Sequence, residues 1–276
     1  MNTNATFRVE PFCQNAFGRF HEHVGNLLRE EIDIADAVAD AFTRRTVRSF
    51  VTRGDAELAA VAADLHRTGI GARWNAQLSG ARSAVLADWI GPHIDGSVLD
   101  LLCGTGGIGD ALGARGATVT LSERRAGHAP GCRQYRSPCV PMEQLERQRG
   151  GSSFGTVLLC TVLHHEHDVE ALLALGGRLA QRRLIVIENC IETQYPADYQ
   201  LLVDIFFNRC LNPNALPSPG HHRSAADWTH AASALGDLVM VERKQRVPGI
   251  PLTHHMIVLD RPSRFTARLA ARGNRT

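Results

Sequence analysis

Val98-Leu99-Asp100-Leu101-Leu102-Cys103-Gly104-Thr105-Gly106-Gly107 decides how this chain reads. An apolar run enters a glycine-rich turn, and residues 108–114 then continue as a helix. Strand, glycine turn and helix in that order bring backbone amides close to a ligand, at the positive end of the helix. The next predicted strand, 117–122, runs into Glu123. An acid at the carboxyl edge of a neighbouring parallel strand can accept both hydroxyls of a ribose. Together the two features imply a ligand that contains a nucleoside.

Downstream of this stretch, strands and helices alternate. Strands are expected at 97–102, 117–122, 156–161 and 184–188, with a short one near 138–141, and helices at 108–114 and 169–181. Such alternation favours a parallel sheet with helices on both faces. A helix follows at 199–211, and Pro213, Pro217 and Pro219 make the next stretch a loop. Ser224 is placed to cap a helix running to Leu235. Two strands, 237–243 and 254–259, then follow without a helix between them, so they should pair antiparallel. Upstream, apolar residues recur at helical spacing over 14–31 and 34–51. Asp55 opens a helix to His66, Gly69-Ile70-Gly71 interrupts, and a last helix spans 73–90 before Gly91-Pro92. The expected class is α/β: a Rossmann-like parallel sheet ending in an antiparallel strand pair, with an N-terminal helical cap over 1–90, a core over 91–262 and a tail over 263–276.

Composition sets broad limits. With 276 residues, 44% of them apolar, the chain can bury a proper core. A net charge of +2 argues against a dedicated nucleic-acid binder. Lys244 is the sole lysine among the basic residues. Seven cysteines, an odd number with no C-x-x-C pair, suit a reduced, cytoplasmic setting. The first ten residues show no signal peptide, and no apolar run nears the ~20 residues that cross a membrane.

At this point the chain resembles a class I S-adenosylmethionine-dependent methyltransferase of the small-molecule type. The family's first motif, a strand followed by D-x-G-C-G-T-G, stands here as Asp100-Leu101-Leu102-Cys103-Gly104-Thr105-Gly106. Val140-Pro141-Met142-Glu143, Ser153-Phe154-Gly155-Thr156-Val157 and Val162-Leu163-His164-His165 follow at matching places, and the resemblance covers about 73–260. Three departures stand out. Leu102 occupies the usual first glycine, Pro141 the acid that often meets the adenine amino group, and Gly155 the acid before the fourth strand.

The resemblance implies S-adenosyl-L-methionine as cofactor. It would be held by Trp74, Asp100, Leu102, Cys103, Gly104, Thr105, Gly106, Glu123, Arg124, Met142, Glu143 and Cys160, with Trp74 otherwise a packing anchor and Cys103 a small turn filler. His164 and His165, just past the fourth strand, are the candidates for general base or acceptor-orienting group. Glu188, ending the fifth strand, either contacts substrate or orients a histidine. His221 and His222 belong to an insert, about 190–235, that lines the acceptor pocket in similar enzymes. The expectation is O-methylation of a small molecule, in specialised or antibiotic metabolism, by a protein without nucleic-acid or membrane partners and able to form a homo-oligomer. N- or C-methylation, RNA or protein methylation, a non-catalytic cofactor binder of the same fold and a nicotinamide-dependent oxidoreductase are the rivals. No histidine spacing here is that of a metalloprotease helix or zinc finger, so no metal is expected.

Overall fold

The strand that leads into the glycine turn, β1 (Val98–Leu101), is buried along its whole length near the middle of a mixed sheet. This is a computed structural model that describes residues 14–51, 55–124, 136–147, 154–211, 221–244 and 247–261. The other strands are β2 (Val119–Glu123), β3 (Cys139–Pro141), β4 (Phe154–Cys160), β5 (Ala180–Ile191), β6 (Arg223–Ser224), β7 (Asp237–Lys244) and β8 (His254–Asp260). Their order is β3-β2-β1-β4-β5-β8-β7, with β6 joined to β5 off this path. The first five pair in parallel, while β8 runs antiparallel to both β5 and β7. The expected Rossmann-like sheet with an antiparallel end is therefore present, and N-terminal helices precede it.

Side-chain alternation sorts the strands onto two faces. Val98, Leu158, Ile185, Ile187, Met256 and Val258 pack against α5 (Gly80–Ile90) and α6 (Gly107–Ala114), through Leu86, Ile90, Ile108 and Leu112. Leu99, Leu101, Val157, Leu159, Val186 and Ile257 face the other way, onto α8 (Val169–Leu179) and α10 (Ala225–Ser233). Each fully buried aliphatic side chain contributes about 1.5–3 kcal/mol. The helix starts are chemically marked. Asp168 accepts from the Ala171 amide at 2.9 Å, and Ser224 with Asp227 forms a capping box. The helix expected at 169–181 stops at Leu179, because Ala180 already pairs with Phe154 as the first residue of β5.

Gly155 has a steric reason. A Cβ there would lie 2.0 Å from the Asp95 carbonyl oxygen and 2.8 Å from the Gly96 Cα. Thr156 Oγ1 ties the same turn down, accepting from the Asp95 amide at 2.9 Å and donating to its carbonyl at 3.0 Å. No acid fits at the start of β4 while the 95–96 turn passes this close.

Contacts divide the chain into two units, Met1–Gln77 with Thr193–Pro217, and Leu78–Glu192 with Ser218–Thr276. The sheet lies in the second. The division falls before α5 rather than at residue 90, because α5 buries Leu86, Ala87 and Ile90 against the sheet. The helix expected at 73–90 is interrupted as well: α4 (Ile70–Trp74) starts after Gly69, whose φ is 73°, and a π-helical turn, Asn75–Ser79, precedes α5. The first unit comprises α1 (Gln14–Asn26), α2 (Asp36–Val51), α3 (Asp55–Arg67), α4 and α9 (Ala197–Ile205), which runs into a π-helical turn at Phe206–Leu211. Its centre is aromatic: Phe20 meets Phe206 edge-on at 5.6 Å. The Thr46 and Ser49 hydroxyls donate back to the Phe42 and Arg45 carbonyls, which lets polar side chains sit on the buried stripe of α2. No helix among the described residues is long and apolar enough to cross a membrane.

Candidate functional site

In an open sheet of this order, ligands settle outside the carboxyl ends of the strands where the winding reverses, here between β1 and β4. The turn after β1 lies at that point. Leu102, Gly104 and Gly106 all have left-handed backbones, with φ of 59°, 55° and 73°. The Cys103 amide donates to the Ser122 carbonyl at 3.0 Å and the Gly106 amide to the Cys103 carbonyl at 2.9 Å, which closes the turn before α6 begins at Gly107, and the space over Gly104 is open: a Cβ there would meet nothing within 4 Å. Leu102 keeps the glycine-like conformation with a side chain in place. Its side chain is buried in the core beside Leu99, Leu101 and Met142, so packing holds a backbone angle that costs about 1–2 kcal/mol. Cys103 lies in this turn and forms no disulfide among the described residues.

Asp100 and Glu123 flank the turn. Asp100 is buried, and its Oδ2 has no hydrogen-bond partner. Burial pushes its carboxyl up to about 7, against the pull of the Gly109 amide and with the charge of Glu123 adding to the rise. Glu123 ends β2 half-buried. Burial raises its pKa too, and the adjacent Arg124 opposes the rise. Beyond it, Arg124, Met142, Glu143 and Glu146 line an open pocket of about 220 Å³. Met142 and Glu143 reach it because α7 (Met142–Arg147) starts directly at the end of β3. Arg124 is paired with Glu166, an acid the sequence did not single out.

The β4–β5 edge holds a tight polar cluster. Glu188, expected as an acceptor contact or as a group orienting a histidine, is fully buried and committed to its neighbours. Its Oε1 accepts from the Val162 and Leu163 amides at 2.9 and 2.7 Å, and its Oε2 lies 2.6 Å from Nδ1 of His164. With every contact asking the carboxylate to accept, Nδ1 carries the proton, so in the neutral ring Nε2 holds the lone pair. The His164 ring lies 4.0 Å from that of His165 and stacks on His222 at 5.0 Å. The short strand β6 explains the last contact. Arg223 and Ser224 pair with Cys190 and Ile191, so the preceding histidines are drawn to the end of β5. The His221 amide donates to the His164 carbonyl at 3.3 Å, and its ring meets that of His167 edge-on.

Cys160 ends β4. Burial lifts its thiol to about 12, so it is no nucleophile at neutral pH. Beside it Thr161, a β-branched residue, has a φ of 53° and accepts a hydrogen bond from Arg82 at 2.9 Å. Neither Arg82 nor Thr161 stood out in the sequence. The available signal was a charge at the start of a buried stripe, since Arg82, Leu86 and Ile90 lie four residues apart on α5. Trp74 belongs to the helical unit, where its ring packs on Phe207 at 5.4 Å.

No protein-family model and no curated protein matches this chain. Among solved structures, the chain is similar to a magnesium protoporphyrin IX methyltransferase from Synechocystis with bound SAH. The two share 16% identity over 67% of this chain and 84% of that one, with a TM-score of 0.47. It is also similar to a 1,6-didemethyltoxoflavin-N1-methyltransferase from Burkholderia thailandensis, at 17% identity over 75% of this chain and 90% of that one, with a TM-score of 0.46. A third likeness is to the [4+2]-cyclase SpnF, at 12% identity, 65% and 81% coverage and a TM-score of 0.48. At such identities the likeness concerns backbone shape alone.

Proposed function

We propose that the protein binds S-adenosylmethionine at the carboxyl ends of β1 to β4 and transfers its methyl group to a hydroxyl of a small-molecule acceptor. The observation that carries this reading is the left-handed turn Leu102–Gly106 at the winding reversal, with the half-buried Glu123 ending the adjoining strand. The residues present fit such a ligand. Glu123 takes the ribose hydroxyls, the open space over Gly104 accommodates the amino-acid end, and Met142 and Glu143 flank the base in the pocket they share with Arg124.

When bound, the cofactor supplies a methyl group already activated on a positive sulfonium, and its sulfur keeps the electron pair of the broken bond. The protein's work is to align the acceptor, exclude water and receive a proton. His164 suits the last task. Glu188 holds its Nδ1–H, so the basic nitrogen of the neutral ring is Nε2, the atom that takes the hydroxyl proton as the new oxygen–carbon bond forms. Glu188 is then a positioning residue, and His165 and His222 fix the plane of the ring between them.

Calorimetry tests the cofactor assignment. S-adenosylmethionine and S-adenosylhomocysteine should bind and NAD should not. Glu123→Ala should weaken both by about 10–30-fold, the worth of a charged hydrogen-bond pair. Binding of NAD alone, or of none of the three, overturns the proposal. Mass spectrometry of hydroxylated small molecules incubated with the protein and methyl-labelled cofactor then tests the transfer. A product methylated only on nitrogen or carbon would correct the acceptor atom.

A further inference from the structure

One ion pair reaches across the crevice at the carboxyl ends of the strands. Arg124 follows the last residue of β2, and Glu166 follows the Leu163–His165 turn past β4. Their side chains are paired. β2 and β4 are the two neighbours of β1, so the pair spans the end of β1, a width of two strand spacings or about 9–10 Å. The left-handed turn Leu102–Gly106 leaves from that end. The same Arg124 lines the open pocket with Met142, Glu143 and Glu146. A nucleoside whose base lies in this pocket and whose amino-acid end reaches the turn therefore crosses the line of the pair.

The two halves of the pair differ in freedom. Glu166 is anchored: its amide donates to the Leu163 carbonyl at 3.0 Å, and its side chain is only 10% exposed. Among the described residues Arg124 is the one cation within 4 Å of its carboxylate. A carboxylate so largely withdrawn from water is costly to leave unpaired, so the pair is closed before a nucleoside arrives. Arg124 has a side chain 44% exposed on a long, flexible stem. Water solvates its guanidinium when it parts from Glu166, so Arg124 is the half that moves. Glu166 also ends the turn that carries His164 and His165, which ties the pair to the acceptor side of the site.

We propose that the Arg124–Glu166 pair is a strap across the cofactor crevice, which parts to admit S-adenosylmethionine and closes again over the bound nucleoside. The strap rests on the methyl-transfer reading for the identity of what passes beneath it. Because the pair is made both before the nucleoside arrives and after it is seated, its strength cancels from the affinity and appears in the rates of uptake and release.

Surface plasmon resonance on the immobilised full chain tests this, with S-adenosylhomocysteine as the probe, since it carries no net charge. Glu166→Gln keeps the shape of the side chain and removes its charge. It should raise the association and dissociation rates together by about tenfold, the strength of a charged hydrogen bond, and change the Kd by less than about threefold. Arg124→Lys keeps the charge and should hold both rates nearer to those of the unaltered protein than Glu166→Gln does. Raising sodium chloride from about 0.05 to 0.5 M screens a half-exposed pair, so both rates should climb severalfold in the unaltered protein and stay level in Glu166→Gln. The salt arm needs no variant to fold: rates in the unaltered protein that ignore salt overturn the strap by themselves. Unaltered rates in Glu166→Gln overturn it too. So does faster dissociation with unchanged association, which makes Glu166 a contact to the ligand and no barrier to it. An equal climb with salt in Glu166→Gln shows that some other charge is being screened, and has the same consequence. No binding by the unaltered protein removes the methyl-transfer reading and the strap with it, whereas binding at rates indifferent to the pair removes the strap alone.

Discussion

At Leu102 two demands meet in one residue. The turn needs a left-handed backbone, which glycine adopts freely, and the core needs an aliphatic side chain. Both Leu102→Ala and Leu102→Gly should lose about 2–4 kcal/mol through the vacated core volume. In a right-handed position glycine would be the worse of the two by about 0.5–1 kcal/mol. Here urea denaturation should find Leu102→Gly at least as stable as Leu102→Ala, and the reverse order would show that the left-handed angle is absent in solution. Asp100 offers a second residue-scale check. Its folded pKa, about 7, stands well above the ordinary value near 4, so the folded state holds its proton more tightly than the unfolded chain does. The resulting stability is complete below about pH 4 and is lost as the pH rises through about 7. Relative to Asp100→Asn, the unaltered protein should therefore lose about 2–4 kcal/mol between pH 4 and pH 8 in denaturation measurements. A pH-independent difference would mean that water or a partner keeps the Asp100 carboxylate charged.

At the scale of elements, the end of β5 organises the histidines. Glu188 binds the first amides after β4 and so fixes where the Leu163–His165 turn begins, while its second oxygen selects the tautomer of His164. Glu188→Gln preserves shape but sets an amide NH₂ where acceptors are needed. It should cost about 1–3 kcal/mol of stability and release the tautomer. Nitrogen-15 shifts of His164 should move from one dominant Nδ1–H form toward a mixture, with S-adenosylmethionine affinity unchanged. An unaltered tautomer in the variant would remove Glu188 from the positioning role. The same edge shows why strand ends are hard to read from sequence. Glu188 and His164 are 24 residues apart and meet only because β4 and β5 pair in parallel with Cys160 beside Ile187.

For the molecule as a whole, protection should follow strand order. β4 is buried on both faces and paired on both sides, while β7 ends the sheet and exposes Leu238, Val239 and Val241. Hydrogen exchange should therefore be slowest in β1, β4 and the middle of β5 and fastest, among the strands, in β7. Fast exchange in β4 would contradict the sheet order. Most of the sheet unit was legible beforehand, since the glycine turn, the strand–helix alternation and the paired final strands each have a local pattern. Neither the split helix at 70–90 nor the division before α5 was legible, because α5 joins the sheet through Leu86 and Ile90, and nothing local distinguishes that burial from packing among the N-terminal helices.

What the sequence determined by itself was the order of elements in the sheet unit and the location of the glycine-rich turn, because backbone angles, capping and periodicity act over a few residues. Only tertiary structure decided the fate of the charged groups. Whether Glu188 reached a ligand or a histidine, and whether Gly155 was a substitution or a necessity, depended on what pairing and packing brought beside them. A charge takes its energy from surroundings that are distant along the chain, and those surroundings exist only once the sheet has formed.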